Sequence, residues 1–190
     1  MPHSIKSPTQ EARGPFEISD FPDKISDTTV AFAACKAVPQ IVDQISDEAE
    51  LIIKYGSLQI ENGQTISPDE LLSEPTIEIL PKNHTYTLVM VDPDAPAPNT
   101  PKYRSWLHWL VINIPGTDVI RGEEVESYMP PEPAKGKHRY LFLVFKQKER
   151  VKARRPAKRQ GFQVKDWAVQ HGLNPNPCAG LFFWSAADEE

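Results

Sequence analysis

Cysteine and glycine are scarce in this sequence. Its 190 residues include two cysteines, Cys35 and Cys178, which excludes a disulfide scaffold and a four-cysteine zinc site. We expect both to be free thiols, with a single bridge between them as the alternative. The 9 glycines form neither a P-loop nor a dinucleotide-binding loop, and no GxSxG nucleophile elbow is present.

Long apolar runs are missing as well, and this bears on where the protein is found. The N-terminal residues lack the apolar stretch of a signal peptide. No run approaches the roughly 18 apolar residues that a bilayer-spanning helix needs. We therefore expect a cytoplasmic protein without a transmembrane segment.

Proline, in contrast, is abundant. The 19 prolines have no backbone N–H to donate, which disfavours long helices and favours loop-rich β structure. Hydrophobic residues make up 39% and charged residues 25% of the chain, a composition typical of a soluble globular protein. The length suits one domain over residues 1–190, in which residues 1–28 are expected to form a polar N-terminal arm.

The hydrophobic pattern predicts a β-dominated domain with two or three short helices. We expect a helix before Pro39, a helical turn after Ser67 and a short amphipathic helix that ends at Gly172. The Asn62-Gly63 pair is typical of a hairpin turn. The predicted strands span residues 51–56, 76–80, 86–91, 105–114, 138–147 and 180–186.

The net charge of −5 conceals a strongly basic segment. Between Lys135 and Lys165 there are 12 Lys and Arg residues and one acid, Glu149, so this segment carries +11 and the remainder −16. Such a segment is typical of a solvated loop or of a patch that binds nucleic acid or anionic lipid. Because few aromatic residues are available to stack on bases, we expect an exposed loop over 149–160. Binding of anionic lipid through residues 146–159 is the alternative.

Ionisable side chains lie at matching positions of three predicted strands. Because side chains alternate along a strand, Asp92, His108 and His138 all fall on the even-numbered faces. If the strands are neighbours, these groups and Tyr140 meet at one end of the sheet, rimmed by Trp106. Each histidine alone is equally compatible with a core residue bonded to a carbonyl.

Such a cluster permits three kinds of chemistry. Two histidines and a carboxylate are a ligand set for a mononuclear metal, although no HxH, HxxxH or HExxH spacing occurs. The same groups are compatible with a small hydrolase. They also suit an anion pocket, where imidazole and phenol donate to phosphate oxygens and the carboxylate orients a histidine or binds an amine.

Four motifs together resemble the phosphatidylethanolamine-binding protein family. They are DPDAP at 92–96, WLHWLV at 106–111, GKHR at 136–139 and NPCAGLFFWSA at 176–186. The likeness extends from about Val38 to Ala187. It implies a mostly β fold in which a large central antiparallel sheet packs on a smaller sheet, with a few short peripheral helices.

The resemblance also implies a binding site. Tyr103 and Trp106 would form the wall of a small anion pocket, and Arg139, on the face opposite His138, is interpreted as an ion-pair partner of Asp94. The residues that would line this pocket are Asp92, His108, Pro133, His138 and Tyr140.

The function implied by the resemblance is binding without catalysis and without a cofactor. The expected ligands carry a phosphate head group, as in a phosphatidylethanolamine-like lipid or a nucleotide. Modulation of a protein kinase or a serine protease by a monomeric protein is also implied, and no nucleic-acid partner is expected. The alternative is a small hydrolase or metal-dependent enzyme that uses His108, His138 and Asp92.

Overall fold

The structure, a computed structural model, describes residues 27–116 and 118–187. The predicted arm over 1–28 lies outside the described residues except for its last two. Among the described residues, no helix is long and apolar enough to cross a membrane. The elements are α1 (Thr28–Ala34), α2 (Ala37–Gln40), β1 (Glu50–Tyr55), β2 (Leu58–Gln59), β3 (Thr76–Leu80), β4 (Thr85–Asp92), β5 (Trp106–Pro115), β6 (Glu123–Glu126), β7 (Lys137–Gln147), α3 (Val164–Gln170) and β8 (Ala179–Ala186).

The strands form two antiparallel sheets. The large sheet has the order β6-β5-β4-β7-β8, and the small sheet has the order β2-β1-β3. The six predicted strands are all present, and the expected mostly β fold with a large and a small sheet is confirmed. The three strands that carry Asp92, His108 and His138 lie side by side at the centre of the large sheet.

Each face of the large sheet is covered by a different layer. On β7, Phe142 packs into the core shared with the small sheet, while Leu141 and Leu143 pack into the core shared with α1 and α3. All three side chains are fully buried. The continuous apolar run of β7 follows from this arrangement, since a strand covered on both faces needs no polar side.

A β-bulge in β5 breaks the predicted alternation. Alternation places His108 on the same face as Leu110, but Leu110 packs on the helix side and Trp109 on the small-sheet side. Consecutive residues of β4 pair with Trp109 and Leu107 and leave His108 without a partner. The extra residue turns both His108 and Trp109 towards the small-sheet side of the sheet.

The hairpin predicted at Asn62-Gly63 is wrong. The register of β1 with β2 leaves a two-residue connection at Gly56-Ser57, and Gly56 has the positive φ of 57° that such a turn requires. The Asn62-Gly63 turn is instead anchored to β8. Asn62 Oδ1 accepts from the Phe182 N–H at 3.0 Å, and the Gly63 N–H donates to the Phe182 carbonyl at 3.0 Å.

Both cysteines are buried free thiols, as predicted. Burial raises the pKa of Cys35 to about 11 and that of Cys178 to about 11. Because the thiolate is the reactive form, neither residue is activated as a nucleophile at neutral pH.

A buried ion pair joins the helices to the large sheet. Arg139 Nε donates to Asp94 Oδ2 at 2.8 Å and Nη2 donates to Oδ1 at 2.5 Å, which confirms the predicted pairing. The same guanidinium donates to the Cys35 carbonyl at 2.7 Å and to Gln40 Oε1 at 2.8 Å. One side chain on β7 therefore holds the end of β4 and the α1–α2 junction together.

We expect Asp94→Asn to lower the free energy of unfolding by about 3–5 kcal/mol, because it leaves the buried Arg139 without a counter-charge. Glu123→Gln is the matched control, since it breaks an ion pair with Arg150 that is exposed on both sides and should cost about 1 kcal/mol or less. Urea unfolding at neutral pH measures both. Equal losses for the two variants would contradict the role given to Asp94.

Candidate functional site

A cavity of about 230 Å³ opens at the end of the large sheet where β4 finishes and β7 begins. Its walls come from the ends of β4, β5 and β7 and from two loops, 95–103 and 129–134. Six of the seven residues expected from the sequence line it. They are Asp92, Tyr103, Trp106, His108, His138 and Tyr140.

The seventh expected residue, Pro133, is placed differently. It is buried, and the residues of its loop that line the cavity are its neighbours Glu132 and Ala134 together with Met129 and Pro130. The loop therefore contributes an exposed acidic residue, Glu132, and a methionine to the lining. Sequence reasoning missed both, because residues 127–136 form neither a helix nor a strand and no periodicity indicates which side chains point inward.

His138 is held by acceptors at both ring nitrogens. Nδ1 lies 2.8 Å from Asp92 Oδ2, and Nε2 lies 3.0 Å from the Lys135 carbonyl. Neither acceptor can donate, so both nitrogens donate only when the ring is the imidazolium cation. The other oxygen of Asp92 accepts from the Asp94 N–H at 2.7 Å, which fixes the carboxylate at the end of β4.

The pKa of His138 reflects two opposed effects. Burial lowers it, but the hydrogen bond and the negative charge of Asp92 together outweigh burial, and the pKa is raised above its ordinary value. The imidazolium of His138 therefore persists to higher pH than that of an ordinary histidine.

His108 has the opposite electrostatic state. Its Nδ1 lies 2.7 Å from the Met129 carbonyl, so Nδ1 carries the proton. Burial lowers the pKa of His108, and the charge of Asp92 only partly offsets this. The ring is therefore neutral at pH 7, and Nε2, which has no hydrogen-bond partner in the described part of the chain, presents a lone pair.

Aromatic rings set the positions of the two histidines. The Tyr140 ring packs edge to face on His108 with centroids 5.2 Å apart, and it stacks on His138 at 6.4 Å. Burial raises the pKa of Tyr140, and the charges of Asp92 and Asp94 raise it further, so its hydroxyl stays protonated. At the rim, Tyr103 and Trp106 lie with centroids 6.0 Å apart.

The basic segment contributes to the site through Arg159, which corrects the expectation of a simple exposed loop. Arg159 is mostly buried, with 16% of its side chain exposed. Its Nη1 donates to the carbonyls of Leu107 and His108, at 3.0 and 3.1 Å. Its Nη2 donates to the buried Glu126 at 2.7 Å, so this arginine holds the bulge that carries His108.

The two enzyme alternatives require further groups beside the histidines. Ser185 lies directly across from His138 in the β7–β8 register, but its hydroxyl is buried without a hydrogen-bond partner in the described chain. Both ring nitrogens of His138 bond to Asp92 and the Lys135 carbonyl, so among the described residues no hydroxyl or thiol is hydrogen-bonded to this ring. Among the described residues, no group of three or more His, Cys, Asp or Glu side chains is placed to hold a metal ion.

The amino-acid sequence is similar to those of known plant proteins. Protein MOTHER of FT and TFL1 homolog 2 of Oryza sativa is 38% identical over 143 residues, which cover 73% of this chain and 82% of the relative. Protein TERMINAL FLOWER 1 of Arabidopsis thaliana is 37% identical over 152 residues, which cover 78% of this chain and 85% of the relative.

The fold is shared more widely than the sequence. The phosphatidylethanolamine-binding protein of Plasmodium vivax superposes with a TM-score of 0.72 at 18% identity, over 85% of this chain and 98% of that one. The sequence profile of the phosphatidylethanolamine-binding proteins matches residues 43–183, which is most of the chain and contains every residue of the cavity. The chain therefore belongs to the phosphatidylethanolamine-binding protein family.

Proposed function

We propose that this protein binds a phosphate-bearing head group in the cavity and acts by binding rather than by catalysis. The observation that carries the proposal is the pairing of two histidines in opposite states beside one protonated phenol. His138 supplies a positive charge, His108 an open Nε2 and Tyr140 a hydroxyl, all within one cavity.

Anion binding uses these groups in a defined way. A phosphate oxygen would replace the Lys135 carbonyl at His138 Nε2, and a charged acceptor makes the stronger hydrogen bond. The negative charge also favours proton uptake by His108, whose Nε2 then donates to the ligand. Binding is therefore coupled to protonation.

The acidic and aromatic lining suits an amine on the same ligand. Glu132, an exposed acid of the lining, supplies negative charge, and the Tyr103 and Trp106 rings supply faces for a cation. A zwitterionic head group with a phosphate near the histidines and an ammonium near the rim complements both halves of the cavity. This supports a phosphatidylethanolamine-like ligand over a nucleotide.

Modulation of a protein kinase or a serine protease stays a prediction from the family resemblance. If the protein modulates such an enzyme, the head-group cavity is the part of its surface whose charge changes when a ligand binds. A kinase or protease inhibition assay with and without glycerophosphoethanolamine tests it directly.

The affinity for glycerophosphoethanolamine should fall as pH rises through the raised pKa of His138, because the imidazolium is lost. This probe is a phosphodiester, so its own phosphate charge stays constant over the range from about pH 5.5 to 8.5 in which histidine titrates. Isothermal titration calorimetry measures the affinity. We expect His138→Gln to weaken binding by about ten- to a hundredfold at pH 6 and to flatten the pH profile.

His84→Gln is the matched control for this experiment. His84 packs edge to face on Tyr86 beside the opposite end of β4, so its replacement should leave the affinity and its pH profile unchanged. A pH-independent affinity in the wild-type protein, unaffected by His138→Gln, would contradict the proposed site.

The two histidines should shift stability with pH in opposite directions. The raised pKa of His138 stabilises the fold fully below the ordinary value of about 6.5, and this stabilisation is lost as pH rises through the raised value. The lowered pKa of His108 leaves the fold unaffected above about 6.5 and destabilises it as pH falls below that value.

Urea unfolding of His138→Gln and His108→Gln over a pH series tests this assignment. The loss of unfolding free energy caused by His138→Gln should shrink as pH rises, and the loss caused by His108→Gln should shrink as pH falls. The same pH trend in both variants would show that the protonation states are wrongly assigned.

Arg159→Lys should weaken head-group binding by about two- to tenfold, because a single ammonium cannot reproduce the fork that bonds the two bulge carbonyls through Nη1 and Glu126 through Nη2. Lys158→Gln, an exposed neighbour, should leave the affinity nearly unchanged because exposed charges are screened. Calorimetry compares the affinities, and urea unfolding shows that each variant is folded. Equal effects of the two variants would contradict the positioning role of Arg159.

A further inference from the structure

A second cleft lies on the helix-covered side of the large sheet. Its volume is about 360 Å³, and it is bordered by the α1–α2 junction, the loop before β5 and the beginning of β7. It shares no lining residue with the cavity that contains the two histidines. Its charged residues are Lys36, Arg104, Lys137 and Arg139 against a single acid, Asp94.

The one acid of this cleft is already neutralised. Asp94 accepts two hydrogen bonds from the Arg139 guanidinium, and the nearby carboxylate of Asp92 is paired with His138 on the other side of the sheet. Arg104 shares Asp94 at the longer distance of 3.8 Å, and among the described residues no ion pair involves Lys36 or Lys137, so the lining carries more positive than negative charge.

The three remaining cations also have free donor capacity. Arg104 uses Nε for the Pro93 carbonyl at 2.7 Å, while its Nη2 is 3.8 Å from Asp94, beyond hydrogen-bond distance. Lys137 Nζ lies over the Trp184 ring, 5.4 Å from its centroid, and a ring face provides no acceptor oxygen. Lys36 is exposed at the entrance.

The pKa values of two of these cations are lowered, as expected for cationic groups that are partly buried. Burial lowers the pKa of Arg104, and the charge of Arg139 lowers it further. Burial likewise lowers the pKa of Lys137. Asp94 and Asp92 oppose the shift of Arg104 without reversing it, so a bound anion would further favour the charged forms of both groups.

We propose that this cleft binds a phosphomonoester dianion, as a second ligand site distinct from the head-group cavity. The guanidinium of Arg104 offers a planar fork that fits two phosphate oxygens. The ammonium groups of Lys36 and Lys137 supply the remaining charge as mobile point cations. A dianion is favoured over a carboxylate because the lining contains four cationic side chains and one acid, Asp94.

The tryptophans provide separate reporters for the two sites. Trp184 borders the cleft and Trp106 borders the cavity, so their indole N–H signals in a ¹H–¹⁵N NMR spectrum, assigned with Trp→Phe variants, follow each site independently. The probe is glycerol 3-phosphate, added to the full chain. We expect the Trp184 signal to shift with a saturable dependence on its concentration, whatever the Trp106 signal does.

Charge-matched variants test which cations bind the probe. Lys36→Gln/Lys137→Gln should weaken the Trp184 response by about tenfold or more, because two charge-assisted contacts are lost. Lys152→Gln/Lys158→Gln removes the same charge from exposed positions of the basic segment and should leave the response unchanged. A Trp184 signal that does not shift, or an equal effect of the two double variants, would overturn the proposal.

The source of the phosphomonoester is distinguished with vesicles. Flotation measures binding of the protein to phosphatidylcholine vesicles with and without phosphatidic acid. A lipid source is supported if binding requires phosphatidic acid, Lys36 and Lys137, and if glycerol 3-phosphate competes with it. If only the soluble probe binds, the site serves a soluble phosphomonoester. If the proposed head-group site is wrong, the Trp106 signal and the affinity of His138→Gln for glycerophosphoethanolamine will show it. The response of the Trp184 signal to glycerol 3-phosphate does not depend on that outcome.

Discussion

Two acid–base pairs at the junction of β4 and β7 determine the arrangement of the rest of the site. Asp92 pairs with His138 and Asp94 pairs with Arg139. Since consecutive residues of a strand point to opposite faces, His138 enters the head-group cavity while Arg139 enters the helix-side cleft. A single strand pairing thus builds two charged sites, one on each face of the sheet.

The surroundings of each histidine, rather than its sequence position, set its charge. His138 has a carboxylate at one nitrogen and a carbonyl at the other, which together stabilise the cation despite burial. His108 has a carbonyl and no paired acid, so burial decides and the ring stays neutral. Two identical side chains beside one tyrosine therefore offer a ligand one cation and one lone pair.

Much of this arrangement could be predicted from the sequence because strand alternation acts over short distances. It brought Asp92, His138 and Tyr140 to one end of the sheet and separated Arg139 from them. The bulge at His108 could not be predicted, since a bulge depends on the register with a neighbouring strand. For the same reason the partner of Arg159 was missed: Glu126 lies 33 positions away along the chain.

The contacts of Arg139 have a consequence for when the two charged sites form during folding. Its bonds to Cys35 and Gln40 close loops of 104 and 99 residues, and β7 needs β4 and β8 on either side of it. Long-range closures of this kind are completed late in folding, because the chain entropy they cost is recovered only when the surrounding core is in place. Both charged sites are therefore properties of the completed fold, and a ligand that bound only the native chain would add to the free energy that separates native chains from unfolded ones.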